Sequence, residues 1–251
     1  MRRIVLITGA SRGIGAAVAL LAAQRGWAVA VNYHQRPDAA QALVTSIRES
    51  GGDAQALCAD VGKPEGVAQL FASLDSTIGM RGYLAGLVNN AGIVAATARI
   101  DAMDWTRSER VFAVNCLGAL ACAREAVKRM STRYGGAGGS IVNLGSAAAR
   151  LGSPGQYVDY AMSKAALEAL SLGLAKEVAG EGIRVNTVRP GLIDTEIHAL
   201  AGDPGRLPRL VHSVPMQRVG TVSEVAEAVV WLLGEASSYC TGSVIDVTGG
   251  R

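Results

Sequence analysis

Residues 4–15 read IVLITGASRGIG, a short apolar run that leads directly into a glycine-rich turn. The run Ile4–Thr8 predicts a buried strand, and the helical spacing of the apolar residues after it predicts a helix over 13–25. Small residues between a strand and a helix let the backbone approach a phosphate, which the N–H groups of the first helical turn attract. The glycine spacing is Gly-x3-Gly-x-Gly, with Val18 where the GxGxxG pattern has its third glycine. An ordinary glycine turn is the alternative, but the position between strand and helix favours phosphate binding.

The alternation of short apolar runs and longer helical stretches continues along the chain. Strands are predicted over 28–32, 54–59, 84–89, 140–144, 184–189 and 243–247, and helices over 37–50, 64–78, 104–133, 157–180 and 222–235. This order predicts right-handed βαβ units, and therefore an α/β fold with a doubly wound parallel sheet in a single domain over 1–251. Residues 194–216 contain three prolines (204, 208 and 215), break the alternation, and are expected to form a substrate lid.

The composition predicts an aliphatic core and excludes several classes of function. Hydrophobic residues make up 49% of the chain but aromatic residues only 4%, which suits a parallel sheet buried on both faces. The net charge of +3 is small and scattered, so no nucleic-acid-binding surface is expected. The apolar runs are too short to span a membrane, and a cytoplasmic location is expected. The four cysteines lack CxxC spacing and are expected to be reduced and buried, and His34, His198 and His212 are too dispersed to predict a metal site.

Glycine and polar residues recur just after the carboxyl ends of the predicted strands. They are Thr8–Gly15, Asn32–Arg36, Asp60, Asn89–Gly92, Ser146 and Pro190–Thr195. Doubly wound sheets bind ligands at this edge, so these residues predict one shared site. After the second strand, where NAD enzymes place an acid, the chain reads Asn-Tyr-His-Gln-Arg over 32–36. Arg12 and Arg36 would attract the 2′-phosphate of NADP, which favours NADP over NAD, unless Arg36 merely begins a solvated helix.

Tyr160 and Lys164 are four residues apart on a predicted helix and therefore share a face. A nearby ammonium would lower the pKa of the tyrosine from about 10 toward neutrality, making the phenol usable in proton transfer. Ser146, just after the fifth strand, is placed to offer its hydroxyl to the same substrate oxygen. A Tyr-x3-Lys pair alone is weak evidence, because a surface pair with no role in chemistry has the same spacing.

The chain contains, in order, Thr8–Gly15, Asn89-Asn90-Ala91-Gly92, Asn115, Ser146, Tyr160-x3-Lys164, Pro190-Gly191 and Val247-Thr248-Gly249-Gly250. Together these motifs resemble the short-chain dehydrogenases/reductases over essentially the whole chain. The patterns nearest to it are those of 3-oxoacyl-carrier-protein reductases and glucose dehydrogenases. The resemblance implies a single Rossmann domain with a seven-stranded parallel sheet in the order 3-2-1-4-5-6-7 and helices on both faces.

The resemblance also implies the roles of individual residues. Tyr160 would be the general acid/base on the substrate oxygen, Ser146 would polarise that oxygen, Lys164 would bind the nicotinamide ribose, and Asn115 would anchor a water in a proton relay. The spacing from Ser146 to Tyr160 is one residue longer than in many relatives, which the loop over 152–155 can absorb. The residues expected to bind the cofactor are Gly9, Ser11, Arg12, Gly13, Ile14, Gly15, Asn32, Tyr33, His34, Asp60, Val61, Asn89, Asn90, Ala91, Gly92, Tyr160, Lys164, Pro190, Gly191, Ile193 and Thr195.

The expected function is an NADP-dependent oxidoreductase that moves a hydride between nicotinamide and a carbonyl or secondary-alcohol substrate. The alternatives are a non-catalytic NADP(H)-binding sensor or scaffold and an NAD-preferring sugar dehydrogenase. No metal, nucleic acid or membrane partner is expected, and the resemblance implies a homotetramer formed through the helices over 104–133 and 157–180 and the C-terminal strand. Arg133 would suit an acidic carrier protein, whereas Glu181 argues against one. Asp194 and Glu196 either touch substrate or begin a helix.

Overall fold

The computed structural model describes residues 2–78, 82–196, 202–203 and 205–251. Among these residues, seven strands form one parallel sheet in the order β3-β2-β1-β4-β5-β6-β7, which confirms the predicted fold class and strand order. The strands are β1 (Arg2–Ile7), β2 (Ala28–Tyr33), β3 (Asp53–Cys58), β4 (Gly82–Asn89), β5 (Gly139–Leu144), β6 (Ile183–Pro190) and β7 (Val244–Val247).

Helices cover both faces of the sheet. They are α1 (Gly13–Gln24), α2 (Pro37–Glu49), α3 (Pro64–Ile78), α4 (Trp105–Phe112), α5 (Ala119–Met130), α6 (Ala148–Leu151), α7 (Val158–Val178), α8 (Arg206–Leu210) and α9 (Val222–Leu233). Successive residues of β1 point to opposite faces, with Ile7 in the apolar cluster beneath α1, α2 and α9 and Leu6 in the one beneath α3 and α5. Both residues are fully buried, which explains why the strands are continuous apolar runs.

The stretch predicted as one helix over 104–133 consists of α4, a π-helical segment (Ala113–Gly118) and α5. Hydrophobic periodicity predicted the helix but could not reveal the wider turn, because a single π turn shifts the apolar stripe only slightly. Gly118 lies against the chain that follows β3, where a Cβ atom would be 2.4 Å from the Val61 carbonyl oxygen. This close approach brings the π-helical segment to the edge of the sheet where ligands bind.

The segment over 194–216 is described at 194–196, 202–203 and 205–216. It is less irregular than predicted, since it contains α8 and a 3₁₀ turn (Val211–Ser213). His198 and Pro204 lie outside the described residues. Cys58, expected to be buried, is exposed at the end of the edge strand β3, and the four cysteines are free thiols. No helix in the described part of the chain is long and apolar enough to cross a bilayer.

A chain of buried polar side chains connects the middle of the sheet to α7. Asn89 Nδ2 in β4 donates to Asn143 Oδ1 in β5 at 2.9 Å, and Asn143 Nδ2 donates to Ser171 Oγ in α7 at 2.7 Å. Thr187 Oγ1 in β6 donates to the same Ser171 oxygen at 2.8 Å. All four residues are buried, so these bonds fix three strands and one helix relative to one another.

Candidate active site

A cleft of about 800 Å³ lies along the carboxyl ends of the strands, a volume within the range of small-molecule sites. Residues from the glycine turn, the ends of β2 to β6 and the start of α7 form its walls. Of the residues predicted for the site, those that line it are Gly9, Ser11, Arg12, Gly13, Ile14, Asn32, Tyr33, His34, Asp60, Val61, Asn90, Ala91, Gly92, Ser146, Tyr160, Lys164, Pro190, Gly191, Ile193 and Thr195. The strand-end prediction therefore identified residues that the fold brings together.

Gly15, Asn89 and Asn115, also predicted for the site, do not line the cleft. A Cβ atom on Gly15 would lie 2.5 Å from Asn90 Nδ2 and 2.9 Å from Ala10 Cα, so this glycine allows close packing behind the turn. Asn89 is used in the buried polar chain described above. Their positions in the motif gave no sign of this, because a strand-end residue can face either the cleft or the interior.

The glycine turn between β1 and α1 has the shape that a phosphate group requires. Gly9 and Gly13 have φ values of +60° and +55°, which side-chain-bearing residues rarely adopt. A Cβ atom on Gly9 would lie 2.8 Å from Ala91 Cα. Arg12, the residue before α1, makes no side-chain capping bond, so no side chain of that residue competes with an anion for the N–H groups of the first turn.

Asn32 and Asn90 hold the glycine turn in place through their side-chain amides. Asn32 Oδ1 accepts from the Gly9 N–H at 3.1 Å, and its Nδ2 donates to carbonyl oxygens of Leu57 and Ala59, each at 3.2 Å. Asn90 Nδ2 donates to the Gly9 carbonyl oxygen at 2.9 Å. Both amides are engaged by the backbone, so these residues position the turn rather than present free amides to a ligand.

Two guanidinium groups converge on one carboxylate at the start of α1 and the end of β2. Arg12 Nη1 lies 2.8 Å from Glu196 Oε2, and Arg36 Nη2 lies 3.5 Å from the same oxygen. All three side chains are partly exposed and line the cleft. Glu196 thus lines the cleft and contacts the arginines predicted to favour NADP; the alternative that it begins a helix concerns residues outside those described.

Asp60, predicted to bind the cofactor, is held by its neighbours after β3. It accepts from the Gly62 N–H at 2.9 Å, and Arg110 Nη2 donates to its two carboxylate oxygens at 3.1 and 3.0 Å. Burial raises the pKa of Asp60, but the hydrogen bonds from Gly62 and Arg110 outweigh it and lower the pKa overall. Asp60 is therefore an anion at neutral pH whose orientation is fixed.

Ser146, Tyr160 and Lys164 meet at the inner end of the cleft. Ser146 and Tyr160 both line the cleft, and the Ser146 hydroxyl is close enough to the phenol to act on its pKa. Lys164 Nζ donates to the Leu144 carbonyl oxygen at 2.6 Å and lies 5.8 Å from the centre of the Tyr160 ring. Two hydroxyl groups thus face the place where a substrate oxygen would be held.

The pKa of Tyr160 differs from the expectation drawn from the Tyr-x3-Lys spacing. Burial raises the pKa of Tyr160 to about 12, and the hydrogen bond with Ser146 only partly opposes this effect. Burial also lowers the pKa of Lys164 to about 8, against the charge of the nearby Cys116. The expected depression of the tyrosine pKa is not met, because Lys164 directs its ammonium to a main-chain carbonyl and is itself poorly solvated.

Asn115 lies in the π-helical segment behind Gly92. Its Oδ1 accepts from the Ile93 N–H at 2.8 Å, and its Nδ2 donates to the Ile93 carbonyl oxygen at 3.0 Å and to Ser163 Oγ at 2.9 Å. A Cβ atom on Gly92 would lie 3.3 Å from Lys164 Nζ and 3.5 Å from Asn115 Oδ1. The Asn115 side chain therefore fixes the loop after β4 against α7, close to the lysine.

The substrate end of the cleft contains residues that the sequence did not single out, namely Gln156, Tyr157, Arg206 and Arg251. The rings of Tyr157 and Tyr160 meet edge to face, with centroids 5.8 Å apart and an angle of 88°. Arg206 falls in the segment over 194–216, where proline-rich and irregular sequence offered no periodicity to show which side chain faces inward. Arg133, the candidate carrier-protein contact, lies outside the cleft with its Nη1 3.8 Å from Glu181 Oε1.

The chain is similar to known oxidoreductases over nearly all of its length. A family model described as enoyl-(acyl carrier protein) reductase matches residues 9–251. The Escherichia coli protein YgfF, described as an uncharacterized oxidoreductase, is 51% identical over 248 residues, which cover 99% of both chains. The 3-oxoacyl-[acyl-carrier-protein] reductase FabG of Staphylococcus epidermidis is 34% identical over 253 residues, covering 100% of this chain and 99% of FabG.

A solved structure shows the same fold. The angucycline C-6 ketoreductase LanV with bound NADP matches with a TM-score of 0.91 and 35% identity, over 99% of this chain and 95% of LanV. The agreement in strand order, site residues and relatives leads to one conclusion: the chain belongs to the short-chain dehydrogenase/reductase family and is an oxidoreductase.

Proposed function

We propose that this protein is an NADP-dependent reductase or dehydrogenase that transfers a hydride between nicotinamide and a ketone or secondary-alcohol carbon. The observation that carries the proposal is the meeting of the Ser146 hydroxyl and the Tyr160 phenol in a cleft that also contains the glycine turn. A turn that suits a dinucleotide phosphate and a phenol that suits proton donation thus share one cleft, which supports hydride transfer to a carbonyl.

The residues of the cleft fit a nicotinamide dinucleotide. The turn at Gly9 and Gly13 has the backbone conformation and the free helix N-terminus that suit a pyrophosphate. Arg12, just before α1, and Arg36, after β2, suit a 2′-phosphate better than a ribose hydroxyl. When bound, NADP(H) supplies or accepts the hydride, and the NADP-bound LanV structure supports this cofactor for a close structural neighbour.

The proton chemistry follows from Ser146 and Tyr160. At neutral pH a phenol with a pKa of about 12 is protonated, so Tyr160 is ready to donate a proton to the substrate oxygen during reduction. The Ser146 hydroxyl, beside the phenol, orients and polarises that oxygen. Lys164 holds a fixed position through Leu144 and places a basic group beside the cofactor ribose site. Asn115 positions the loop that carries Gly92.

The test is the variant Tyr160→Phe, assayed with NADPH and a panel of small ketones. The protein should oxidise NADPH in the presence of at least one ketone, and the variant should lose this activity by at least about 100-fold. NADPH should still raise the melting temperature of the variant, since the glycine turn is untouched. Ketone turnover that persists in the variant would refute the assignment of Tyr160, and a larger thermal shift with NADH than with NADPH would refute the cofactor.

We also propose a homotetramer assembled through the π-helical segment, α5 and α7. Leu117, Leu120, Met162 and Leu172 on these elements are exposed in the single chain, although all are large and apolar. Sedimentation should give a mass four times the 25.8 kDa of one chain, and a single-chain mass would contradict the proposal.

A further inference from the structure

One buried arginine at the substrate end of the cleft has no counter-ion among the residues that the structure describes. Arg206, the first residue of α8, is 9% exposed and lines the cleft. Its Nη1 donates to Gln156 Oε1, and its guanidinium carbon lies 5.0 Å from the centre of the Tyr157 ring. Its Nε atom is buried and has no hydrogen-bond partner in the described part of the chain. The ion pairs seen among the described residues do not include Arg206; on this helix it is Arg209 that pairs with Asp203.

Two other arginines of similar burial show what this protein does with a buried guanidinium. Arg107 pairs with Asp159 at 2.8 Å, and its side chain is 11% exposed. Arg189, with a side chain 10% exposed, lies between Glu168 at 2.7 Å and Asp246 at 2.8 Å. A buried charge without a partner costs several kcal/mol, on the order of the whole margin of stability of many domains. Unlike these two arginines, Arg206 has no carboxylate partner in the described part of the chain. We therefore expect an anion from outside the chain to pair with it.

The charge of the surrounding wall agrees with this conclusion. Among the described residues that line the cleft, the acidic side chains are Asp60 and Glu196. Both lie at the cofactor end, where Asp60 forms an ion pair with Arg110 and Glu196 forms one with Arg12. Arg251 lines the same cleft as Arg206. The described residues that line the substrate end include two arginines and no acidic side chain. The nearby Asp203, which acts on Tyr157, is paired with Arg209. An anionic substrate therefore gains attraction there.

Arg206 lies near the tyrosine that is proposed to hold the reacting carbonyl oxygen. Its guanidinium stacks on Tyr157, whose ring centroid is 5.8 Å from that of Tyr160. Arg206 also lines the same cleft as Tyr160 and acts electrostatically on its phenol, so a small molecule held at one oxygen by Tyr160 and Ser146 can present a second, charged group to Arg206. A planar guanidinium matches a carboxylate through two parallel N–H···O bonds.

We infer that the substrate is a small oxo acid, or the corresponding hydroxy acid, whose carboxylate binds Arg206 while its carbonyl oxygen lies at Tyr160 and Ser146. This inference rests on the proposed function, because it assigns the charge of the substrate in the same cleft. Gln156 and Tyr157 act as positioning residues that hold the guanidinium toward the cleft.

The experiment compares oxo acids, in which the carbonyl moves successively further from the carboxylate, with their methyl esters. The protein and the variants Arg206→Met and Arg209→Met are assayed by loss of NADPH absorbance. Arg209 is a matched control because it lies on the same helix, is exposed and pairs with Asp203. For the best oxo acid, kcat/KM should exceed that of its ester by at least about tenfold, and Arg206→Met should lower it by about 10- to 100-fold, mainly through KM.

Activity of Arg206→Met on the neutral ester should change by less than about threefold, and Arg209→Met should behave like the original protein on both substrates. An equal loss on acid and ester would mean that Arg206 only supports Tyr157, and no preference for the acid would mean that the substrate is neutral; either result overturns the inference. If neither acid nor ester is reduced, the proposed function fails. Calorimetric binding of the oxo acids to the protein and to Arg206→Met then decides the inference separately, since equal or absent binding in both would overturn it.

Discussion

Glu196 forms an ion pair with Arg12, with Oε2 2.8 Å from Nη1, at the place where the 2′-phosphate of NADP is expected. Arg36 approaches the same oxygen at 3.5 Å. A carboxylate of this chain thus already neutralises the two cations that would attract the phosphate. The three side chains are between 38% and 58% exposed, so the contact is weak enough for a phosphate to displace it.

The first prediction is that Glu196→Gln strengthens NADPH binding. Removal of the competing anion should lower the Kd for NADPH by about two- to fivefold, the range expected for an exposed ion pair. NADH, which has no 2′-phosphate, should bind with an unchanged Kd. Titration of each cofactor followed by fluorescence measures both values. Glu227→Gln is the control, because Glu227 forms a similar exposed pair with Arg25 away from the cleft, and an equal effect on both cofactors would contradict the prediction.

The second prediction concerns the pH dependence of the two directions of the reaction. Since burial raises the pKa of Tyr160 to about 12, the phenol is protonated over the neutral range and suits reduction. Oxidation of the alcohol needs the phenolate, so its rate should rise with pH, by up to about tenfold per unit where chemistry limits the rate. Steady-state kcat for each direction, measured between neutral and alkaline pH, tests this. An oxidation rate that is flat with pH would show that Tyr160 is not the base.

The third prediction links Lys164 to stability of the cofactor-free protein. Its pKa falls from 10.5 in the unfolded chain to about 8 in the fold, so the unfolded state binds more protons between these two pH values. The free energy of unfolding should therefore rise with pH across that window, by up to about 1.4 kcal/mol per unit. Urea unfolding of the protein and of Lys164→Met at several pH values isolates the effect. The difference in free energy of unfolding between the two proteins should change across the window. A constant difference would show that folding does not lower the pKa of Lys164.

The fourth prediction is that Asp159 stabilises the start of α7. Its carboxylate receives Arg107 Nε at 2.8 Å and Nη2 at 3.2 Å, and it also accepts from the Tyr160 N–H at 2.9 Å. Asp159→Ala leaves the buried Arg107 without its carboxylate, with only the Ala96 carbonyl oxygen as a partner, and should lower the free energy of unfolding by about 3–5 kcal/mol. Asp101→Ala, which breaks the exposed pair with Arg99, should cost less than about 1 kcal/mol in the same urea titration. Similar losses in the two variants would contradict this account.

The sequence predicted the strands and the edge of the sheet that carries the cleft because both depend on local patterns. A strand buried on both faces, such as Ile4–Ile7, must be an apolar run, and the residue after it must lie at the carboxyl edge. The direction of a polar side chain at that edge depends on packing instead. Asn89 therefore turned inward to Asn143, although it was predicted to bind the cofactor.

Arg206 was missed for a related reason. Its inward position depends on stacking against Tyr157 and a hydrogen bond to Gln156, residues about 50 positions earlier in the chain. The raised pKa of Tyr160 could not be predicted from the sequence either. The Tyr-x3-Lys spacing places the two side chains on one face of the helix but does not show which carbonyl oxygen the ammonium contacts.

The hydrogen-bonded chain from Asn89 through Asn143 and Ser171 to Thr187 has a consequence for how this scaffold tolerates change. A shift of any of the three strands by one residue would leave a buried amide or hydroxyl without its hydrogen-bond partner. These buried bonds therefore fix the register of the strands. Ser146 lies two residues after the end of β5, and Pro190 is the last residue of β6. The buried hydrogen bonds thus fix the spacing of the residues at the carboxyl ends of these strands. The outer loops can change to suit new substrates without altering the reaction centre.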